Sequence, residues 1–551
     1  MIENIIVTIN NKKINVSKGT SLYEIAQQFQ EEYDLPIILA KVNNQYKELS
    51  SPINKDASIE LLTIKDKEAN RSYVNGLLYL LAYAAKKVLR GNKLVFKHSL
   101  DKGIYISSSH KITKDQVNLL KNEMLEVAKL NLPIEKMNVN RIDAIEYFES
   151  VGDKSKVNLL KYNTNTFITL YKLGNMYNFF FSLMPINTSS LDRFDLAYID
   201  ENGFVLLYQT VYMEDSIKHY QHHSMLFDVF NEYHEWASIM NIELVPALNN
   251  YVSSGNIGDL IRISETVQSN NLLNIARNIY DNKDKIKVVL MAGPSSSGKT
   301  TCNKLCMYLR SFGMNPKTIS MDNYFVARED TPKDKNGNYD FECLGALDLK
   351  LFDKQIADII NGNEVATPIY DFVSGKPRYN AGDVIKLDKK DVLIIEGIHA
   401  LNPKILSDIS RKKKYKIYIS PLTCLNLDDQ NRISTSDNRL LRRIIRDNRH
   451  RGNDVNYSLK KWASVRLGEE KNIFPFQDEA DVIFNSSLIY EIGVLKTYVE
   501  PLLYSVDMDS PYYEEAKRLI NMLKMFLPIP SDDVPKDSIL REFIGGGCFR
   551  Q

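Results

Sequence analysis

The sequence predicts a multidomain chain, α+β in its front half and α/β in its rear. Three observations carry that prediction. At 551 residues the chain exceeds what one ordinary core encloses. The first sixty or so residues alternate polar and apolar positions in short runs such as IIVTI and KKINV. From residue 285 the pattern changes to near-continuous apolar strands separated by helical stretches, which argues for a parallel sheet covered on both faces.

Composition sets the outer limits. Hydrophobic residues make up 44% and charged residues 25%, with only 18 Pro and 24 Gly, so the chain belongs with folded rather than disordered proteins. No uncharged apolar run approaches the roughly 18 residues a membrane span needs, and MIENIIVTINNKKINV reads as a strand pair instead of a signal peptide. A cytoplasmic protein without membrane association is expected. Lys and Arg number 70 against 69 Asp and Glu, so no strongly basic body is available to hold nucleic acid. The five cysteines form no CxxC pair and fit a reducing compartment.

Five segments follow in order. Residues 1–62 read as strands IIVTI and KKINV, helix SLYEIAQQF, then strands ILAKV and SIELLTI, a small module of the ubiquitin-like, β-grasp kind. Residues 68–215 open on the apolar helix VNGLLYLLAYAAKKVL and continue into strands TFITLYKL, MYNFFFSL and GFVLLYQT. Phe179, Phe180 and Phe181 lack interleaved Lys or Arg, so they are expected in a sheet core rather than on a base-stacking surface. Residues 216–282 read as a helical connector; His219, His222 and His223 have metal-like spacing there, but no cysteine or second ligand cluster stands near them. Residues 285–505 carry the α/β pattern, with strands KVVLMAG, KTISMD, DVLIIEG, KYKIYIS and ADVIFN. Residues 506–551 form a helical tail ending in SILREFIGGGCFRQ.

The chemistry starts in the fourth segment. Gly293-Pro294-Ser295-Ser296-Ser297-Gly298-Lys299-Thr300 fits G-x-x-x-x-G-K-[ST] between a strand and a helix, and Thr301 continues it. Gly293 and Gly298 permit the close approach and unusual dihedrals by which successive N–H groups converge on a β-phosphate. Lys299 would bring a point charge to the phosphates, and the Thr300 hydroxyl would ligate Mg²⁺. The positive end of the following helix adds to the same spot. ATP and Mg²⁺ are therefore the expected ligands.

Ligands in open α/β sheets collect beyond the carboxyl ends of strands. The strand KTISMD ends in Asp322 and the strand DVLIIEG closes with Glu396 and Gly397, so Asp322 is the candidate base for an acceptor hydroxyl and Glu396 the candidate carboxylate on the metal side. Arg439, Arg442, Arg443 and Arg446, at i, i+3, i+4 and i+7, share one side of a helix. So dense a cationic face calls for an anion, and an arginine-bearing lid over a polyphosphate would supply one. Between these elements, Tyr370 of TPIYDF could stack on a flat base and Asp340 of NYDFE could accept hydrogen bonds from sugar hydroxyls.

Taken together, GPSSSGKTT, ISMDNYF, NYDFE, TPIYDF, IIEGIHALNP and DNRLLRRIIRDNRHRG resemble the uridine kinase and phosphoribulokinase family, over about residues 285–505. The resemblance implies a P-loop kinase domain in which Asp322 activates a nucleoside 5′-hydroxyl. It likewise places ATP on the loop through Lys299 and Thr300, the sugar near Asp340, the base beside Tyr370, and phosphate-contacting arginines at Arg442, Arg443, Arg446 and Arg451. Uridine–cytidine kinases typically carry a histidine a few residues beyond the matching Tyr-Asp-Phe; VSGKPR puts Gly375 there, which leaves the base open. The front half is similar to threonyl-tRNA synthetases, residues 1–62 to their TGS domain and 68–215 to their second, editing-associated domain. Where the synthetase has its HxxxH pair, this chain has Asn75 and Tyr79, so the editing chemistry is expected to be absent. The combination implies ATP-dependent phosphoryl transfer to the 5′-hydroxyl of a nucleoside, uridine or cytidine. A kinase for another sugar or polyol and an ATP-switched RNA-binding or regulatory protein are the alternatives. A weak RNA contact by the front half is the lesser partner expectation, and a homo-oligomer is compatible with the chain.

Overall fold

The computed structural model describes residues 3–212, 217, 219–298, 300–334 and 337–549. The first module pairs β1 (Asn4–Ile9) with β2 (Lys12–Ser17), packs helix α1 (Leu22–Phe29) on them, and adds β3 (Ile37–Val42), β4 (Gln45–Glu48) and β5 (Ala57–Thr63). The sheet order is β2-β1-β5-β3-β4, with β1 and β5 parallel. Val7, Ile9, Leu22 and Ile25 are buried between sheet and helix, which is the alternation expected of a half-buried sheet.

The second domain begins with α2 (Lys67–Val88), then β6 (Leu94–Leu100), β7 (Gly103–Ser108), α3 (Lys114–Lys129), β8 (Ile134–Asn140), α4 (Arg141–Ser150), α5 (Lys154–Lys161), β9 (Phe167–Leu173), β10 (Met176–Asn178), β11 (Phe194–Asp200) and β12 (Gly203–Tyr208). Two antiparallel sheets result, β10-β9-β8 and β11-β12-β7-β6. The strand expected through MYNFFFSL stops at Asn178. The Asn178 side chain turns back onto the Phe179 amide, and Phe179 and Phe180 continue into the core outside any strand. Helices α6 (Ser224–Ile239), α7 (Val245–Ser253) and α8 (Ile257–Asp281) follow.

The rear domain threads β13 (Val288–Ala292), α9 (Thr300–Ser311), β14 (Asn315–Ser320), α10 (Leu349–Ile360), the short strands β15 (Val365–Ala366), β16 (Ile369–Asp371), β17 (Lys376–Arg378) and β18 (Val384–Ile385), then β19 (Asp391–Glu396), β20 (Lys414–Ser420), α11 (Thr435–Arg451), α12 (Val455–Asn472), β21 (Val482–Asn485), α13 (Glu491–Tyr504), α14 (Tyr513–Leu523) and α15 (Arg541–Ile544). Its five-stranded sheet, β14-β19-β13-β20-β21, is parallel throughout. Strand β14 ends two residues short of Asp322, which lies in a 3₁₀ turn over Met321–Tyr324. β13, β19 and β20 are buried almost end to end, as parallel strands with both faces covered must be.

Neither the connector nor the tail stands apart. One buried apolar cluster runs from Ala144, Phe148 and Leu160 through Leu260 to Leu440, Trp462, Leu495 and Phe543. The segment between β20 and α11 is stitched into the second domain: Phe96 donates to the Asp429 carbonyl at 2.8 Å, Asn431 to the Phe179 carbonyl at 2.9 Å, and buried Lys156 meets Asp428 at 3.5 Å. No helix among the described residues is long and apolar enough to cross a membrane.

Candidate active site

At the carboxyl end of the parallel sheet a cavity of about 490 Å³ opens between the glycine-rich loop, the turn after β14, the end of β19 and helix α11. The loop follows directly from β13, the central strand. Gly293 passes so near β20 that a Cβ would stand 2.2 Å from the Ile419 carbonyl oxygen, and Gly298 has φ +109°, so neither position accepts a side chain without distortion. Pro294, Ser295, Ser296 and Ser297 complete the loop wall of the cavity. Lys299 lies outside the described residues. Thr300 and Thr301 begin α9 and are buried rather than cavity-lining; Thr300 donates from its amide and its hydroxyl to one carboxylate oxygen of Glu542, both at 3.2 Å.

Asp322 and Glu396 line the same cavity as the loop. The register explains this: β14 and β19 run parallel with Ser320 opposite Glu396, so the carboxyl ends of both strands reach one edge. Asp340, expected at the sugar hydroxyls, is not a wall of the cavity; its carboxylate accepts from the Glu342 amide at 3.1 Å and shapes the turn that sends Glu342 inward. Burial pushes the Glu342 carboxyl up to about 7, with the Glu469 charge adding to it and Arg443 opposing. Buried His399 is pushed down to about 4 by desolvation.

The arginine helix departs from expectation. Ser434 caps α11 by accepting from Asp437 at 3.0 Å, and Gly452 ends it at φ +64°, which fixes the helix register. All four arginines reach the loop: Arg439 donates to the Ser295 carbonyl at 3.0 Å, Arg442 to the Ser296 carbonyl at 3.3 Å, and Arg443 and Arg446 to the Ser295 hydroxyl at 2.9 and 3.5 Å. Only Arg443, Arg446 and, one turn on, Arg451 line the cavity. Arg442, expected on a transferring phosphate, is fully buried and paired with Glu491, so its role is to brace the loop from behind. The anions that answer this cationic face are protein carboxylates: Glu469 takes Arg439 and the Ser295 amide, Glu491 takes Arg442, and Asp447 takes Arg443. α11 is accordingly a packed core helix, with Leu440, Leu441, Ile444 and Ile445 in the shared cluster, and not a solvent-side lid.

The opposite wall is aromatic. Phe325, Phe341, Tyr370 and Phe372 meet there, Tyr370 lying 5.4 Å from Phe325 and 5.1 Å from Phe372 between ring centroids. Arg328 joins them, donating to the Phe372 carbonyl at 2.8 Å. Gly375 leaves room for this guanidinium: a Cβ at that position would stand 2.7 Å from its Nε. Sequence patterns singled out Tyr370 but missed Arg328, Glu342 and Glu542. Glu342 stands two positions past Asp340 in NYDFE, while Glu542 carries no local signal.

Residues 288–492 match the Phosphoribulokinase / Uridine kinase family. A uridine kinase of Mycoplasma genitalium is 31% identical over 178 residues, 32% of this chain and 74% of that protein. The chain belongs to the phosphoribulokinase/uridine kinase family. Within that family it is also similar to a uridine kinase of Staphylococcus aureus, 28% identical over 221 residues, which are 39% of this chain and 96% of the relative. The N-terminal part of this family member is similar to a threonine–tRNA ligase of Wigglesworthia glossinidia brevipalpis, 30% identical over 168 residues, 30% of this chain. It spans about a quarter of that ligase, 26% of its length. The positions expected to replace the HxxxH pair lie on α2: Asn75 is hydrogen-bonded to Ser182, and Tyr79 is buried with its hydroxyl on the Tyr171 and Met176 carbonyls.

Proposed function

We propose that the chain transfers the γ-phosphoryl group of ATP to the 5′-hydroxyl of a nucleoside, uridine or cytidine. One observation carries this: the phosphate loop and Asp322 share a single cavity, whose far wall is a cluster of four aromatic rings suited to a flat base. In the proposed reaction the acceptor oxygen attacks the γ-phosphorus, the bond from phosphorus to the β–γ bridging oxygen breaks, ADP leaves, and the hydroxyl proton passes to Asp322. Arg443 and Arg446 would face the charge spread over the transferring oxygens, and Lys299 would join them from the loop.

The donor groups fit an anionic ligand. Thr300's amide and hydroxyl already hold a carboxylate oxygen, and the Ser296 and Thr301 hydroxyls are buried without a hydrogen-bond partner among the described residues. Thr300 and Glu396 would hold Mg²⁺, which when bound neutralises phosphate charge. A second acceptor class draws support from Arg328: a guanidinium inside the acceptor wall suits a substrate that carries its own acid group, such as a sugar phosphate. A product-identifying screen of the full chain with Mg–ATP against nucleosides, sugars and sugar phosphates decides between them. A labelled nucleoside 5′-monophosphate is the expected product. ATP hydrolysis that needs no acceptor and rises with added RNA would replace the proposal with an RNA-linked switch.

A further inference from the structure

The tail reaches 242 residues back along the chain to touch the phosphate loop. Its last helical turn, α15, buries Glu542 to 6% exposure and sets one carboxylate oxygen 3.2 Å from both the amide and the hydroxyl of Thr300. Several contacts hold it there. Arg449 donates to the Ile544 carbonyl at 2.7 Å, the His450 ring bonds the Glu542 carbonyl at 3.2 Å, the Arg442 guanidinium lies 5.1 Å over the Phe543 ring, and Lys304 pairs with Asp537 at 3.3 Å. Gly545, at φ +79°, reverses the chain where Arg449 occupies the space a side chain would need.

The groups Glu542 satisfies are those a phosphate loop presents to a nucleotide: an N–H at a helix N-terminus aimed at a phosphate oxygen, and the hydroxyl intended for the metal. One N–H cannot serve two anions, and a carboxylate beside the β-phosphate would repel it in a poorly solvated cavity. We propose that the C-terminal segment is the resident occupant of the phosphate cradle: Glu542 holds the place of a phosphate oxygen, and Mg–ATP binds by displacing it. This rests on the assignment of the cradle to ATP. The tail then acts as a competitive strap, and whatever pulls it away opens the nucleotide site.

Mg–ATP affinity of the full chain, measured calorimetrically, should tighten about tenfold in Glu542→Ala and Glu542→Gln if the strap is closed about nine-tenths of the time. Arg449→Ala, which keeps the carboxylate but removes a tether, should shift affinity the same way. Hydrogen exchange of residues 540–547 in the unaltered protein should rise when Mg–ATP is added. Equal affinity in unaltered protein and both Glu542 variants, or bound Mg–ATP with unchanged exchange in the tail, overturns the proposal while leaving the ATP site intact. Weaker, less Mg²⁺-dependent binding in Glu542→Ala also overturns it and makes Glu542 a metal ligand instead. Absence of nucleotide binding in every form removes the competitor and overturns the strap together with the ATP assignment.

Discussion

Replacing Glu342 by Gln should remove a pH dependence that the unaltered protein shows between about 4.5 and 7. Burial raises this carboxyl from 4.5 to about 7, and the neighbouring Glu469, Asp322 and Asp340 charges push in the same direction. The folded state therefore holds the proton more tightly than the unfolded chain. Its contribution to stability is fully present below about pH 4.5 and is lost as the pH rises to about 7, because across that window the native state binds more protons. The gap between 4.5 and about 7 corresponds to about 3 kcal/mol. Thermal melting of both proteins from pH 5 to 8 isolates the effect, since every other titrating group is common to the pair. The unaltered protein should lose melting temperature relative to Glu342→Gln as the pH rises, and the difference should level off above 7. The same carboxyl changes from hydrogen-bond donor to pure acceptor inside the acceptor wall, so the acceptor KM should turn near pH 7 only when Glu342 is present. Melting curves that keep a constant separation across this range would refute the reasoning.

Asp322→Asn should retain Mg–ATP binding and lose turnover by about 10²–10⁴, measured by calorimetry alongside product formation, because the proposed acceptor base goes and the cradle stays. Lys299→Ala should lower turnover by about 10²–10³ in steady-state assays. Glu491→Ala should destabilise the fold by about 3–5 kcal/mol in denaturant titration, since it leaves the fully buried Arg442 without its carboxylate. Gly468→Ala should lower the melting temperature, although Ala is the better helix former by about 1 kcal/mol, because its Cβ would stand 2.6 Å from the Cβ of Glu342.

The parts of the site legible in the sequence are those whose physics is local. Gly293 and Gly298 announce a loop because backbone approach and dihedral angle are properties of single positions. Asp322 stands just past β14 and Glu396 at the end of β19, and parallel pairing places the two strand ends at one edge. The i, i+3, i+4, i+7 arginines reveal a helical face but not what meets it: Glu469 and Glu491 lie on other helices, thirty and forty-nine residues from their partners. A like-charged face read in isolation asks for an external anion, and here most of the anions belong to the protein. Arg328 and Gly375 illustrate the same limit, since an absent side chain at one position matters only once the chain folds the other beneath it. The shared core was likewise hidden, because periodicity reports that Phe148 and Leu440 are buried and not that they are buried together.

That shared core changes what the front half is for in mechanical terms. Asp437, in the first turn of α11, takes a two-pronged contact from Arg518 of α14 at 2.7 and 2.9 Å. Arg518 also binds Glu515, and Glu515 binds Arg71 and Lys67 of α2 in the second domain. From α11, in turn, Arg439, Arg442, Arg443 and Arg446 hold Ser295 and Ser296 of the phosphate loop. Two sets of charge-assisted contacts, linked through the body of α11, thus join the synthetase-like helix to the loop. Cutting the chain at residue 285 would strip Arg71 from Glu515 and remove Phe148, Leu160 and Leu260 from the cluster that buries α11. The front half is therefore part of the scaffold that supports the cradle.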